Sequence, residues 1–143
     1  MEKKDIELLQ FIRQNAQMGT VTLSTLANML GEGSMKATVK KQLAEYQFVF
    51  EVAGRKLDTA QAEAKDVSPM MQTAATAMIN IQSITDKSES HIAEMVIVGS
   101  TRGVIETTRR IRDYKDANVD IVNLAFRLLS IEQNNIDDLK HYV

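Results

Sequence analysis

Apolar residues recur along this chain at spacings of three and four, the period that gives an α-helix one oily face. The first run begins near Lys3 and carries Ile6, Leu9, Ile12 and Ala16 inward. It resumes after Met18-Gly19 with Leu23, Leu26, Ala27 and Leu30. Thr20-Val21-Thr22 is β-branched and weakly helical, so the pattern predicts a kink at Gly19 or a break with Thr22 capping a second piece. Gly31-Glu32-Gly33 ends the run, with glycine where a left-handed C-terminal residue belongs, and Ser34 is suited to cap the next helix.

A second run, from about Met35 to Ala64, has Met35, Val39, Leu43, Tyr46, Val49, Phe50, Ala53 and Leu57 as its core stripe. Around its middle Tyr46, Phe48, Val49, Phe50 and Val52 surround the helix, which predicts cover on more than one side. Lys65-Asp66-Val67 reads as a hinge. Ser68-Pro69 restarts the chain with a capping serine and proline at the first helical position. The segment from Pro69 to Ile84, rich in Ala, Thr and Met, reads as a crossover helix lying on the others.

A further long pattern starts at Ser88, with Thr85 as the other capping candidate, and ends near Lys115. Ile92, Met95, Val96, Gly99 and Gly103 share a face, and Asp86 and Glu89 suit the positive end of the helix dipole. A glycine inside a helix costs about 1 kcal/mol relative to alanine, so two of them four apart predict close approach of another helix. Ala53-Gly54 is the expected neighbour. Arg109, Arg110, Arg112 and Lys115 complement the negative end of the dipole. Asp116-Ala117-Asn118 reads as a turn with Asn118 as a cap. A last helix, from about Val119 to His141, points Ile121, Leu124, Leu128, Ile131, Asn135, Leu139 and Tyr142 inward.

Composition narrows the choices. At 143 residues, with one proline and six glycines, the chain reads as a single domain, residues 1–143, built of long helices. A formal net charge of -2 gives no electrostatic footprint for nucleic acid. No apolar run is long enough to span a bilayer, and the first residues hold no apolar signal core, so the expected compartment is the cytoplasm. Cysteine is absent, which removes disulfides, thiolate metal sites and cysteine nucleophiles. No phosphate-binding glycine loop and no Gly-x-Ser-x-Gly elbow occurs.

What remains is a set of polar residues inside the apolar stripes. The first helix offers Asn15 and Gln17, and the second Gln42 and Glu45. The helix from Ser88 offers His91 and Glu94, and the last Glu132, Asn134 and Asn135. Buried polar groups are costly unless partnered. The pattern therefore predicts a layer of Asn15, Gln42, Glu45, His91, Glu94, Glu132 and Asn135 between the helices, joined by mutual hydrogen bonds, water or an ion.

Two helical hairpins, a crossover and this layer resemble the ferritin-like superfamily. The stretch His91-Ile92-Ala93-Glu94-Met95 looks like the start of a long helix in uncharacterised bacterial families of that superfamily. The resemblance implies an all-α fold, an antiparallel four-helix bundle with an additional crossover helix. Di-iron members carry a glutamate on each of two helices and Glu-x-x-His on the other two. Here Glu-x-x-His does not occur: His91-x-x-Glu94 reverses it and Glu132-x-x-Asn135 puts an amide in place of histidine. Asp138-x-x-His141 comes nearest, at the end of the last helix.

The resulting expectation is a non-enzymatic bundle that self-associates or binds another protein, with no cofactor, no nucleic acid and no membrane. The alternative is a ferritin-like metal-binding or oxidase protein with a remodelled site on Glu45, His91, Glu94 and Glu132. The eight methionines read as core filler.

Overall fold

The computed structural model describes residues 1–63 and 85–143. Among the described residues it is all-α, with four long helices and no strand. They are α1 (Lys3–Met29), α2 (Ser34–Thr59), α3 (Glu89–Asp113) and α4 (Val119–Leu139), with a 3-10 turn over Lys140–Tyr142. The expected hinge at 65–67 and the crossover helix from Pro69 to Ile84 lie outside the described residues.

Local signals set most of the boundaries. At the start of α1 the Asp5 carboxylate accepts the Glu2 N–H at 3.0 Å, closing the first turn on itself. The Ser88 hydroxyl accepts the His91 N–H at 3.2 Å and Asn118 Oδ1 accepts the Asp120 N–H at 2.9 Å, each capping its helix. α2 ends five residues before Ala64, the expected terminus. Gln61 takes a left-handed φ of 55°, and the Ala62 N–H turns back to the Leu57 carbonyl at 2.9 Å. Ser34 does not cap α2; it is the first residue of the helix, and its hydroxyl pairs with Tyr142 Oη at 2.8 Å.

α1 runs unbroken through Gly19, without the expected kink or restart at Thr22. The Thr20 hydroxyl donates back to the Ala16 carbonyl at 2.9 Å, the local bond a threonine makes inside a helix. The reason glycine occupies position 19 lies on α2: a Cβ there would stand 2.7 Å from the Tyr46 ring.

The core follows the apolar stripes. Leu8, Leu9, Ile12, Ala16, Leu23 and Leu26 of α1 face Met35, Val39, Val49, Ala53 and Leu57 of α2. Ile92, Ala93 and Val96 of α3 and Ile121, Leu124, Ala125, Leu128, Ile131 and Leu139 of α4 complete it. The expected all-round cover of the apolar middle of α2 is incomplete. Phe48 is 44% exposed, and the Arg127 guanidinium lies 4.2 Å over its ring. Phe50 is capped in the same way by Arg13 at 4.6 Å.

The pair α1–α2 and the pair α3–α4 are joined by polar contacts along their length. Asp5 Oδ1 accepts the Asn118 N–H at 2.7 Å, and Tyr114 Oη donates to Glu7 Oε2 at 2.7 Å. The Arg110 guanidinium sits 4.8 Å over the Phe11 ring. Further along is the polar cluster described next.

Candidate functional site

Glu132 lies at the centre of the bundle with 1% of its surface exposed. Its Oε1 accepts two hydrogen bonds, one from Thr107 Oγ1 of α3 at 2.9 Å and one from Asn15 Nδ2 of α1 at 3.2 Å. Asn15 Nδ2 also reaches Thr107 Oγ1 at 3.1 Å, so the three side chains form a closed triangle across three helices. The other side of the carboxyl group fills the notch at Gly103. A Cβ built there would overlap Glu132 Oε2 and lie 2.6 Å from Cδ.

Burial pushes the Glu132 carboxyl group up to about 8, because removal from water penalises its charge; the bonds from Thr107 and Asn15 pull the other way and lose. At neutral pH the group is therefore mostly protonated, able to donate as well as accept.

One turn further along α4, Asn135 is also 1% exposed. Its Nδ2 donates to Tyr46 Oη at 3.3 Å, and the Tyr46 hydroxyl also bonds the Ser100 side chain of α3. Burial and the nearby Glu132 charge hold the Tyr46 phenol far above its ordinary range. Gln42, a turn before Tyr46 on α2, is 2% exposed. Neither its Nε2 nor its Oε1 finds a partner among the described residues, and the same holds for Asn135 Oδ1.

Glycine shapes this cluster twice. Gly19 admits the Tyr46 ring and Gly103 admits the Glu132 carboxyl group. Both notches receive a side chain, and neither receives a helix backbone. Ala53-Gly54 is not the neighbour of Gly103; a Cβ on Gly54 would meet only Arg13 Nε at 3.8 Å. Gly99 was expected to be a close-packing site, but it is exposed with nothing within 4 Å of an added Cβ. The buried line of α3 is Ile92, Ala93, Val96, Ser100, Gly103 and Thr107, one position off the face through Met95 and Gly99.

Of the expected layer, Asn15, Gln42, Glu132 and Asn135 sit in or beside the cluster. Glu94 points outward with a side chain 64% exposed, and His91 Nδ1 pairs with it on the surface at 3.8 Å. Glu45 is half-buried beside Tyr46, whose phenol feels its charge, and makes no bond to Glu132. Glu45, His91, Glu94 and Glu132 therefore do not form a ligand set. Among the described residues no three His, Asp or Glu side chains gather where a metal ion could be held. The physical reason is helical phase: Glu94 follows the buried Ala93 and precedes the buried Val96 by two, which turns it to the solvent side.

Thr107, Ser100 and Tyr46 complete the cluster without having been singled out as polar-layer residues. Thr107 had a signal, since it continues the line of Val96, Ser100 and Gly103 at spacings of four, three and four. No family model, no curated protein and no solved structure matches this chain. Among the described residues, no helix is long and apolar enough to cross a membrane.

Proposed function

We propose that the chain is an antiparallel four-helix bundle of ferritin-like plan, non-enzymatic, that works by associating with further copies of itself. The antiparallel reading is supported by the short turns between Met29 and Ser34 and between Asp113 and Val119, of the length that joins neighbouring antiparallel helices. The contact of Ser34, at the start of α2, with Tyr142, past the end of α4, fits an antiparallel α2 and α4. That of Asp5 with Asn118 brings the starts of α1 and α4 together, so those two run parallel.

The observation that carries the association is on α3 and α4. Val98 and Ile105 are 57% and 47% exposed, and Val119 and Phe126 are 68% and 51% exposed. Each pair is spaced by a heptad, the repeat that brings side chains to one seam along a helix. Two consecutive helices thus carry large apolar groups outward at the spacing of a helix–helix contact. The core offers less to chemistry, since its polar cluster holds a single carboxyl group.

Sedimentation velocity over a wide range of protein concentration tests this. The parent chain should form a dimer or higher oligomer, and Val98→Asp or Phe126→Asp should shift it to monomer with its helical circular dichroism kept. A parent chain that stays monomeric throughout contradicts the reading.

A further inference from the structure

Two carboxyl groups are buried among the described residues, Asp5 and Glu132, and their settings differ. Asp5 accepts backbone N–H groups from Glu2 and Asn118, both at helix starts, where the dipole favours negative charge. Glu132 lies in mid-helix, away from any helix end, and takes part in none of the ion pairs among the described residues.

The groups facing it from each helix are known. α1 presents Asn15; α3 presents Gly103 and Thr107; α4 itself carries Asn135 a turn away. α2 presents Tyr46, close enough for the two charges to interact, with Glu45 of like sign beside it. None of these is a cation. Of the arginines close in sequence to these groups, Arg13 lies over Phe50, Arg110 over Phe11 and Arg127 over Phe48, Arg109 pairs with Glu106, and Arg102, beside Gly103, is exposed.

We propose that Glu132 is a proton-operated latch between the two helix pairs. With both donors converging on Oε1, Oε2 is left to carry the proton, and the neutral carboxyl group fits an uncharged cluster. It binds α4 to α3 through Thr107 and to α1 through Asn15. Loss of the proton leaves a buried charge with no counter-ion, in a notch at Gly103 that the carboxyl group already fills. An uncompensated buried charge is strongly unfavourable, so the bundle relieves it by letting the pairs loosen and water enter. This rests on the cluster alone and is independent of the association proposed above.

The sign of the pH effect follows from the raised titration. The carboxyl group protonates ordinarily at 4.5 and in the fold at about 8. Below 4.5 both folded and unfolded chains hold the proton and the contribution to stability is complete; between 4.5 and about 8 only the fold holds it, and stability falls as pH rises. Above that the contribution is lost and no longer changes.

The test compares urea unfolding of the full chain and of Glu132→Gln, at one protein concentration and at pH values spaced across that window. Glutamine keeps the shape and both hydrogen-bonding roles of the neutral acid. The ratio of the parent's unfolding constant to that of Glu132→Gln should grow by up to about tenfold per pH unit. Parallel profiles would overturn the proposal. Should Glu132→Gln fail to fold, carboxyl carbon NMR of the parent decides: a midpoint several units above the ordinary glutamate value supports the latch, and an ordinary one overturns it. Hydrogen exchange, corrected for its intrinsic pH dependence, reads the loosening. Protection near Asn15 and Thr107 should fall once Glu132 ionises, and unchanged protection there overturns the latch even if stability shifts.

Discussion

The carboxyl group of Glu132 occupies the space in which any residue other than glycine at position 103 would place its Cβ. Because that carboxyl group is held by Thr107 and Asn15, it cannot turn aside without breaking bonds in a buried site. Gly99, four residues earlier on the same helix, faces open space. The two glycines therefore respond oppositely. Gly103→Ala should destabilise by about 1–3 kcal/mol, as overpacking of a core does. Gly99→Ala should stabilise by up to about 1 kcal/mol through helix propensity. Denaturant melts of the two variants check the signs; equal signs would mean that the face of α3 is misassigned.

The second notch behaves likewise, with a stiffer occupant. An aromatic ring cannot yield as a flexible chain end does, so Gly19→Ala should cost about 1–3 kcal/mol. Tyr46→Phe keeps the ring and removes the hydroxyl, leaving Asn135 Nδ2 without its acceptor. A buried unsatisfied donor costs about 1–3 kcal/mol, which thermal or denaturant melts resolve. A neutral Tyr46→Phe would show that Asn135 is satisfied in another way.

Gln42 is expected to run against intuition. Its amide is buried and neither end is bonded among the described residues. Gln42→Met keeps the length and removes the polar atoms, so stability should be unchanged or improved by about 1 kcal/mol. Calorimetry of the variant at neutral pH checks this, and a clear loss of stability would show that the amide has partners.

Asp5 joins the starts of α1 and α4 by two hydrogen bonds to backbone N–H groups. Hydrogen bonds to a charged group are worth about 1.5–3 kcal/mol, so Asp5→Ala should lower stability on that scale. The loss should be accompanied by faster hydrogen exchange at Asn118. Exchange that rises only in the first turn of α1 would argue that the contact with α4 is dispensable.

The ends of α3 and α4 were legible because they are written locally: Ser88 and Asn118 cap them, and no proline interrupts them. The inner face of α4 was legible for the same reason, since Ile121, Leu124, Leu128 and Ile131 allow one phase. The phase of α3 was not. Its buried line holds Ala93, Ser100, Gly103 and Thr107, small residues that hydropathy barely registers, while Met95 and Gly99 fit a neighbouring line almost as well. That shift of one position separates a layer including His91 and Glu94 from the observed one including Ser100 and Thr107. Gly19 misled in another way. A glycine in a helix signals either a bend or a neighbour, and the neighbour, Tyr46, is visible only when the helices are packed.

The central claim is that Glu132 and Gly103 are fitted to one another inside the bundle, and a double-mutant cycle measures that fit directly. Unfolding free energies would be determined for the parent, Gly103→Ala, Glu132→Ala and the double variant. Truncating Glu132 empties the space that a Cβ at position 103 invades, so Gly103→Ala should destabilise the parent and be neutral or stabilising in the Glu132→Ala background. The coupling should lie at about 1–3 kcal/mol, within the range seen for contacting residues. Additive effects of the two substitutions would contradict the fit, and with it the placement of the Glu132 carboxyl group.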